Sequence, residues 1–495
     1  MNVFESFTGN EINQIAQLKR LFECINGDRA LRMAVTKNEI TPAQNERLRK
    51  IGVTLDLPDI AFLWEASYEG YAYMIAMEKN REEQLDTGIL EVVDRYPLLE
   101  LWGKYLQRIY SSRCLCKWDS LPVPQNKKFA AWRKRRIASV KSELGYFGYQ
   151  ISHPVFAFEL SEGCSVGCWF CSFATKKLKA ILDYNTSRDY FRRIVQHCID
   201  LFGKEQAAMA LPYYCTEPHD NPNYIDFLND YEELTGAVLC TSTAVGDDIS
   251  WVRQLLDYYK RGPYPWPRLS VLSLDMLNKI HDAFSPMELI DIELLMQMRE
   301  NPRQKVAGGR ILKEIDGLKG EKDITNKHEL RVPQGSIACA SGFHINLVNR
   351  SIQLFSPCYI SKKWPYGYRV FDESRYKDEN DFPEVIQAMV ERSMPLSPPM
   401  NKPLRFRDDI VCRPTEDGFD LLTPNQIHHF KGREKCGPLG ELIAAGDSTY
   451  AQLTEKLVKE HSINPIVLNT VVQRLFDGGF LDEVYSRKGI FPLLE

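Results

Sequence analysis

No stretch of the 495 residues approaches the roughly 20 consecutive apolar residues that a bilayer-spanning helix needs. The N-terminus, MNVFESFTGNEINQIAQLKR, has no basic segment leading into an apolar run, so a secretory signal is not expected. Net charge is small, −4 with 62 basic against 66 acidic side chains, and offers neither nucleic acid nor an anionic membrane a polyelectrolyte to bind. Internal repeats and low-complexity tracts are absent. Thirteen cysteines are ordinary for this length, odd in number, and unlike the dense disulfide framework of a small secreted domain. The expectation is a cytoplasmic protein with no membrane partner, and its 44% apolar content can fill more than one core.

What is present divides the chain. Residues 1–150 read as helical: Ile12, Ile15, Leu18, Leu21, Phe22 and Ile25 form one stripe of period near 3.6, and Thr41-Pro42 reads as an N-cap followed by a first helical residue. Residues 151–393 alternate short apolar runs (PVFAFEL, AAMALPYY, AVLCTSTA, RLSVLSL) with helical stretches, which predicts βα units and a parallel sheet. GFHINLVNRSIQLFSPC, 342–358, reads as two strands around an NRS turn. Residues 394–403 hold four prolines in SMPLSPPMNKP and read as a linker that begins within it. Residues 404–495 read as three short strands (LRFRDDIVC, GFDLLT, QIHHFK) followed by three helices, a winged-helix-like module. Winged helices also bind DNA, but residues 404–486 carry nine Lys/Arg against thirteen Asp/Glu, the reverse of a phosphate-binding surface.

The clustered thiols carry the chemistry. CSVGCWFC, 164–171, places Cys164, Cys168 and Cys171 within eight residues. A structural zinc wants four protein ligands in a closed tetrahedron, and no second CxxC or HxxxH accompanies the three; His219 is the residue that could be recruited. An iron–sulfur cluster held at three corners leaves one iron open to a small molecule. Three buried thiols with no metal are the plain alternative. The loop follows the first expected strand of the βα series, where the C-terminal strand ends gather functional groups.

CSVGCWFC resembles the radical S-adenosylmethionine signature CxxxCxΦC, with Phe170 in the aromatic position. The resemblance implies a partial (β/α)6 TIM-like barrel, in which the three thiolates hold a [4Fe–4S] cluster and S-adenosylmethionine chelates the fourth iron. It places Thr216 and Glu217 of YYCTEPHDNP in a GGE-like motif, where Glu217 would accept from the cofactor's ammonium group, although Cys215 and Thr216 stand where two glycines are usual. Ser273, at the end of the fourth expected strand, and Ser242, on the third, match cofactor-contacting positions. The plain alternatives are a glutamate on a surface turn and serines that cap helices.

The match narrows. YYCTEPHDNPNY, SVLSLDMLNKIHDAFSP and GFHINLVNRSIQLFSPCYISKKWPYGY, with the flanking segments, resemble the radical peptide epimerases of the proteusin type over nearly the whole chain. The implied function converts L-residues of a ribosomal precursor peptide to D-residues, using an electron donor such as flavodoxin or ferredoxin. Inversion needs a hydrogen atom delivered to the far face of a planar Cα radical, and a thiol is the side chain suited to deliver it. The resemblance makes Cys358 the donor, with Cys339 the second candidate; an auxiliary cluster of Cys339, Cys358, Cys412 and Cys436 lacks the short paired spacings that such sites use. Other readings are C-methylation or crosslinking of a peptide, or a zinc-stabilised peptide-binding protein without catalysis. The C-terminal module resembles leader-peptide recognition domains, which bind by strand addition. The basic run KKFAAWRKRR, 127–136, is expected to attract an acidic leader through Arg133, Arg135 and Arg136, unless it is simply a solvated helix face.

Overall fold

The computed structural model describes residues 3–65, 95–114, 122–260, 267–301, 308–311, 336, 338–361, 363–431 and 437–484. Cys436 lies outside them. The helices used below are α1 (Gly9–Gly27), α2 (Arg29–Thr36), α3 (Pro42–Lys50), α4 (Pro97–Cys114), α5 (Lys127–Leu144), α6 (Tyr184–Phe202), α7 (Tyr224–Thr235), α8 (Ile249–Tyr259), α9 (Leu274–Ala283), α10 (Phe382–Ser393), α11 (Gly437–Ala445), α12 (Tyr450–His461) and α13 (Pro465–Asp477). The strands are β1 (Phe156–Glu159), β2 (Ser161–Glu162), β3 (Ala180–Ile181), β4 (Ala210–Leu211), β5 (Ser242–Thr243), β6 (Arg268–Val271), β7 (Glu293–Met296), β8 (Gly342–Asn346), β9 (Ser351–Pro357), β10 (Tyr368–Arg375), β11 (Val411–Thr415), β12 (Gly418–Leu422) and β13 (Ile427–Lys431).

These elements form two compact units that interleave along the chain rather than following it in blocks. The first takes Met1–Leu121, Glu217–Ile225 and Val238–Gln304. Its N-terminal helix starts as local chemistry dictates: Thr8 accepts from the Glu11 N–H at 3.3 Å while the Glu11 carboxylate accepts from the Thr8 N–H at 2.7 Å. Thr41 and Gln44 repeat the box at α3, with Pro42 as the first helical residue, as expected. The apolar stripe of α1 (Ile15, Leu18, Leu21, Phe22, Ile25) is buried with Leu99, Leu101 and Tyr105 of α4. The unit's sheet runs β5-β6-β7, all parallel, with Leu269 opposite Leu294 and Val271 opposite Met296.

The second unit takes Pro122–Thr216, Asp226–Ala237 and Lys305–Glu495. Its main sheet has the order β10-β9-β8-β1-β4. β1 is parallel to both β4 and β8, with Phe156 opposite Ala210 and Phe343. β8, β9 and β10 form an antiparallel meander, and the expected NRS turn joins the first two. The C-terminal module is the antiparallel sheet β11-β12-β13 covered by α11, α12 and α13, with Phe419, Leu421, Leu453, Leu457, Val472, Leu475 and Phe476 in its core. Its first strand starts at Val411, seven residues later than the sequence suggests. Leu404 and Phe406 are buried core residues outside any strand; Phe406 bridges Leu481, and the Leu404 N–H donates to Ser448 O at 3.0 Å. Residues 394–403 lie along α12: Lys402 and Met400 accept from the Tyr450 and Ala451 N–H groups at 3.1 and 3.0 Å.

The fold is mixed α/β with several small sheets. The parallel strands are divided between two sheets, and the described residues form no closed barrel. Runs expected as full strands at 207–214 and 237–244 give only the two-residue β4 and β5; β4 stops where Pro212 removes a ladder donor and Cys215 takes a left-handed φ of 59°. No described helix is long and apolar enough to cross a membrane.

Candidate metal centre

β1 ends at Glu159, and the chain then makes the narrow hairpin β2–β3, whose tip is the cysteine loop. The neck is closed by backbone: Ser161 pairs with Ile181, Glu162 with Ala180, and Cys164 bridges Lys177, its N–H donating to Lys176 O at 3.0 Å. Gly163 makes that closure possible. Its φ is +91°, and a Cβ there would sit 2.3 Å from Lys177 O. At the tip, the Cys171 N–H donates to Cys168 O at 3.2 Å and the Ala174 N–H to Cys171 O at 3.2 Å. All three loop cysteines are partly exposed, as is Phe170, which meets Trp169 edge-on at 5.8 Å.

The loop is also clamped from outside. Arg310 donates Nη1 to Cys168 O at 3.0 Å, Nη2 to Thr175 O at 2.5 Å and its own N–H to Cys171 O at 3.0 Å. Gly309 lets this segment approach, since a Cβ on it would meet Ser172 O at 2.3 Å. Thr175 Oγ1 donates to Cys215 O at 2.8 Å, tying the loop to the turn after β4. Thr216, next in that turn, is partly buried, and its N–H donates to Tyr213 O at 3.4 Å.

Glu217, Ser242 and Ser273 belong to the other unit. Glu217 is not on a surface turn: it is 4% exposed. Its carboxylate accepts from Thr243 Oγ1, from the Ala244 N–H at 2.8 Å and from the His219 N–H at 3.1 Å. Burial pushes its pKa up, against the pull of those donors. A carboxylate has about four acceptor positions, so one remains for a further donor. Ser242 lies on β5 opposite Arg268, and the hydroxyl that meets Glu217 belongs to its neighbour Thr243. Ser273 caps α9, accepting from the Met276 N–H at 3.1 Å. His219, the offered zinc recruit, has Nε2 3.0 Å from Asp248 Oδ2.

Over 484 residues the chain is 31% identical to y4wI of Sinorhizobium fredii, an uncharacterized protein, covering 97% of this chain and 90% of that one. The chain belongs to the y4wI family. No family model matches it. No solved structure matches it.

In this y4wI-family chain the donor chemistry of the loop fits a three-cornered iron–sulfur cluster. Three partly exposed thiols share one tip, the carbonyls of Cys168 and Cys171 are held by N–H groups, and three thiolates are the donor set that such a cluster takes. Of the thiols outside the loop, Cys215 lies beside it, tied by the Thr175 hydroxyl. Cys358 is fully buried and its thiol donates to Tyr359 O at 3.4 Å; burial pushes its pKa well up, beside the Arg369–Glu143 pair. Cys339 is partly exposed and packs against the core cluster that includes Tyr214, Phe355 and Tyr368. Cys412 is half-buried under α11, where a Cβ on Gly440 would touch its sulfur at 3.0 Å.

The basic run is a correction. Arg133, Arg135 and Arg136 are buried, at 3%, 1% and 2% exposure, and cannot attract a peptide. Arg133 donates to His153 O at 2.8 Å. Arg135 and Arg136 both meet the carboxylate of Glu483, at 2.8 Å for Arg135 Nη2. Only Lys127 and Lys134 of the run are exposed. Sequence reasoning also missed Arg310, Glu159 and His344. An alternating strand signal marked His344, a polar residue between Phe343 and Ile345 in GFHIN; Arg310 had no local signal.

Proposed function

We propose that this protein is a radical S-adenosylmethionine enzyme that inverts α-carbons in a ribosomally made precursor peptide. The observation that carries the reading is the clamped tip of the β2–β3 hairpin. It offers three partly exposed thiols just past the C-terminal end of a parallel strand. Cys164, Cys168 and Cys171 would hold a [4Fe–4S] cluster, and Glu217 keeps one acceptor position for the cofactor's ammonium. When bound, cluster and S-adenosylmethionine supply a 5′-deoxyadenosyl radical able to take a peptide α-hydrogen. The partial (β/α)6 barrel that the resemblance implies stays part of this reading.

The chain's own task is then to return a hydrogen atom from the other side. A neutral thiol serves, and burial holds the Cys358 thiol in its protonated form against the pull of Arg369 and Arg407. Exposure favours Cys339 over Cys358, because a donor must touch the peptide and the Cys358 side chain is enclosed. The precursor's leader would add a strand to an edge of the C-terminal sheet. Both edges, β11 and β13, present an exposed apolar side chain, Val411 at 63% and Ile427 at 57%. The reductant would be a flavodoxin or ferredoxin of the cytoplasm.

The test is anaerobic purification with iron and sulfide analysis and electron paramagnetic resonance, followed by coexpression with a candidate precursor in heavy water. A cluster signal, reductive cleavage of S-adenosylmethionine and deuterium at each inverted α-carbon are expected. A colourless protein with no iron ends the proposal. Alanine replacements at Cys339 and Cys358 then identify the donor, which is the one whose loss stops inversion while cofactor cleavage persists.

A further inference from the structure

Glu159, Cys215 and His344 converge behind the cysteine loop. One ligand atom from each lies within 4.8 Å of the other two. The backbone makes this meeting specific. In the parallel pair β1–β8, Ala157 stands opposite His344 and Glu159 opposite Asn346, so Glu159 and His344 point to the same face two positions apart. Cys215 reaches them from the turn after β4, held there by a left-handed backbone (φ 59°) that a non-glycine residue rarely adopts and by the Thr175 hydroxyl on its carbonyl.

The Cys215 thiol bonds to the Glu159 carboxylate, but the imidazole is left unsatisfied. His344 Nε2 lies 2.9 Å from Glu159 Oε1, yet that contact is off the hydrogen-bonding direction, and the buried nitrogen has no hydrogen-bond partner. The thiol of Cys215 faces the same carboxylate, and burial together with the Glu159 charge drives its pKa well up. A carboxylate, a thiol and an unpartnered imidazole nitrogen in one half-buried corner are the nitrogen, oxygen and sulfur donors of a borderline-soft divalent cation. In tetrahedral ligation at about 2.0–2.3 Å such donors stand roughly 3.5 Å apart, within the observed spread. The supporting groups are also present. Asn346, 4% exposed, donates Nδ2 to the other oxygen of Glu159 and is itself fixed by the Val348 and Asn349 N–H groups at 3.0 and 2.9 Å. The imidazole is packed edge-on to Tyr214 at 5.1 Å and near Phe355 at 5.8 Å, which limits its rotation.

We propose that Glu159, Cys215 and His344 form a mononuclear site for a divalent transition cation of the zinc type, with a fourth position open to water or a ligand. The proposal does not depend on the function of the cysteine loop. To separate the two, the full chain carrying Cys164→Ala, Cys168→Ala and Cys171→Ala is stripped with a chelator and titrated with Co2+, then with Zn2+ as competitor. One equivalent of Co2+ with a sulfur-to-cobalt charge-transfer absorption, displaced by Zn2+, is expected. Cys215→Ser should abolish that absorption, and His344→Ala should weaken binding at least tenfold, while Cys412→Ser leaves both unchanged. Absence of the band, or a band that survives Cys215→Ser, overturns the site. If a variant fails to fold by circular dichroism, the unmodified chain decides. Alkylation of Cys215, mapped by mass spectrometry on peptides that exclude the loop cysteines, should slow at least tenfold in saturating Zn2+, and an unchanged rate overturns the proposal.

Discussion

Replacing Glu483 by alanine is expected to weaken the seating of α5 on the C-terminal module by about 3–5 kcal/mol, the cost of breaking a buried ion pair from one side. Two guanidinium groups share this one carboxylate. Arg135 reaches both oxygens with Nε, at 3.1 and 3.2 Å, and Oε2 with Nη2 at 2.8 Å, while Arg136 Nη2 donates to Oε1. Among the described residues, neither arginine meets another carboxylate. Arg135 retains the Pro395 carbonyl at 2.9 Å and the Phe476 ring at 4.0 Å; Arg136 retains the Phe371 ring at 4.8 Å. Burial pushes the Arg136 pKa down to about 10, which still leaves it charged at neutral pH. The nearby carboxylates Glu143 and Asp409 are committed to Arg369 and Arg407 at 2.6–3.2 Å. At ~1.4 kcal/mol per tenfold, the loss corresponds to amide hydrogen exchange in α5 and α13 faster by roughly 10²- to 4 × 10³-fold. Glu483→Gln, which keeps an acceptor but not the charge, should fall between. A joint replacement of Arg135, Arg136 and Glu483 by Met and Leu should recover most of the protection, since no charge is then stranded. Exchange within threefold of the parent in Glu483→Ala would refute the reasoning. The same arithmetic says that charge reversal at Arg133, Arg135 and Arg136 unfolds this region, so any lost peptide affinity would report unfolding.

Cys168→Ala should leave purified protein with less than a tenth of the parent's iron and no 5′-deoxyadenosine on reduction; retained iron contradicts the loop assignment. Gly163→Ala strains the hairpin neck against Lys177 O and should lower iron content with little change in global stability, read by metal analysis beside thermal melting. Glu217→Gln turns an amide N–H toward the Ala244 N–H and should cost about 1–3 kcal/mol, read by denaturant unfolding, with a larger S-adenosylmethionine Kd by equilibrium dialysis. Glu23, which burial alone would raise, is held down to about 2 by Lys19 at 2.5 Å and by His281. Against an unfolded value of 4.5, its stabilisation is complete above pH 4.5 and disappears as pH falls toward 2, a change of about 3 kcal/mol. Glu23→Gln should flatten that acid limb in circular dichroism, and an unchanged limb would contradict it.

Local chemistry was legible. The Thr41–Pro42 start, the α1 stripe, the turn between β8 and β9, and the three strands and three helices of the C-terminal module all follow from residues close together in the chain. The cysteine loop was placed after β1 for the same reason. What stayed hidden depends on residues far apart. KKFAAWRKRR reads as a basic surface because its counter-ion, Glu483, comes nearly 350 residues later. Glu159 and His344 meet only through the parallel register of β1 with β8, which no local pattern encodes. Ser273 turned out to cap a helix, a role its position before LDMLNKI already permitted.

The clamp on the cysteine loop orders events during synthesis. Arg310 follows Cys168 by 142 residues, so at about 5–20 residues per second the ribosome needs roughly 7–30 s more before the guanidinium exists. Throughout that interval the sulfurs sit on a tether whose carbonyls lack their later partner. A polypeptide truncated just before Gly308 would keep every thiol of the signature and still lack what shapes it. On the proposed reading, metal capture would then belong to maturation of the finished chain, not to its birth.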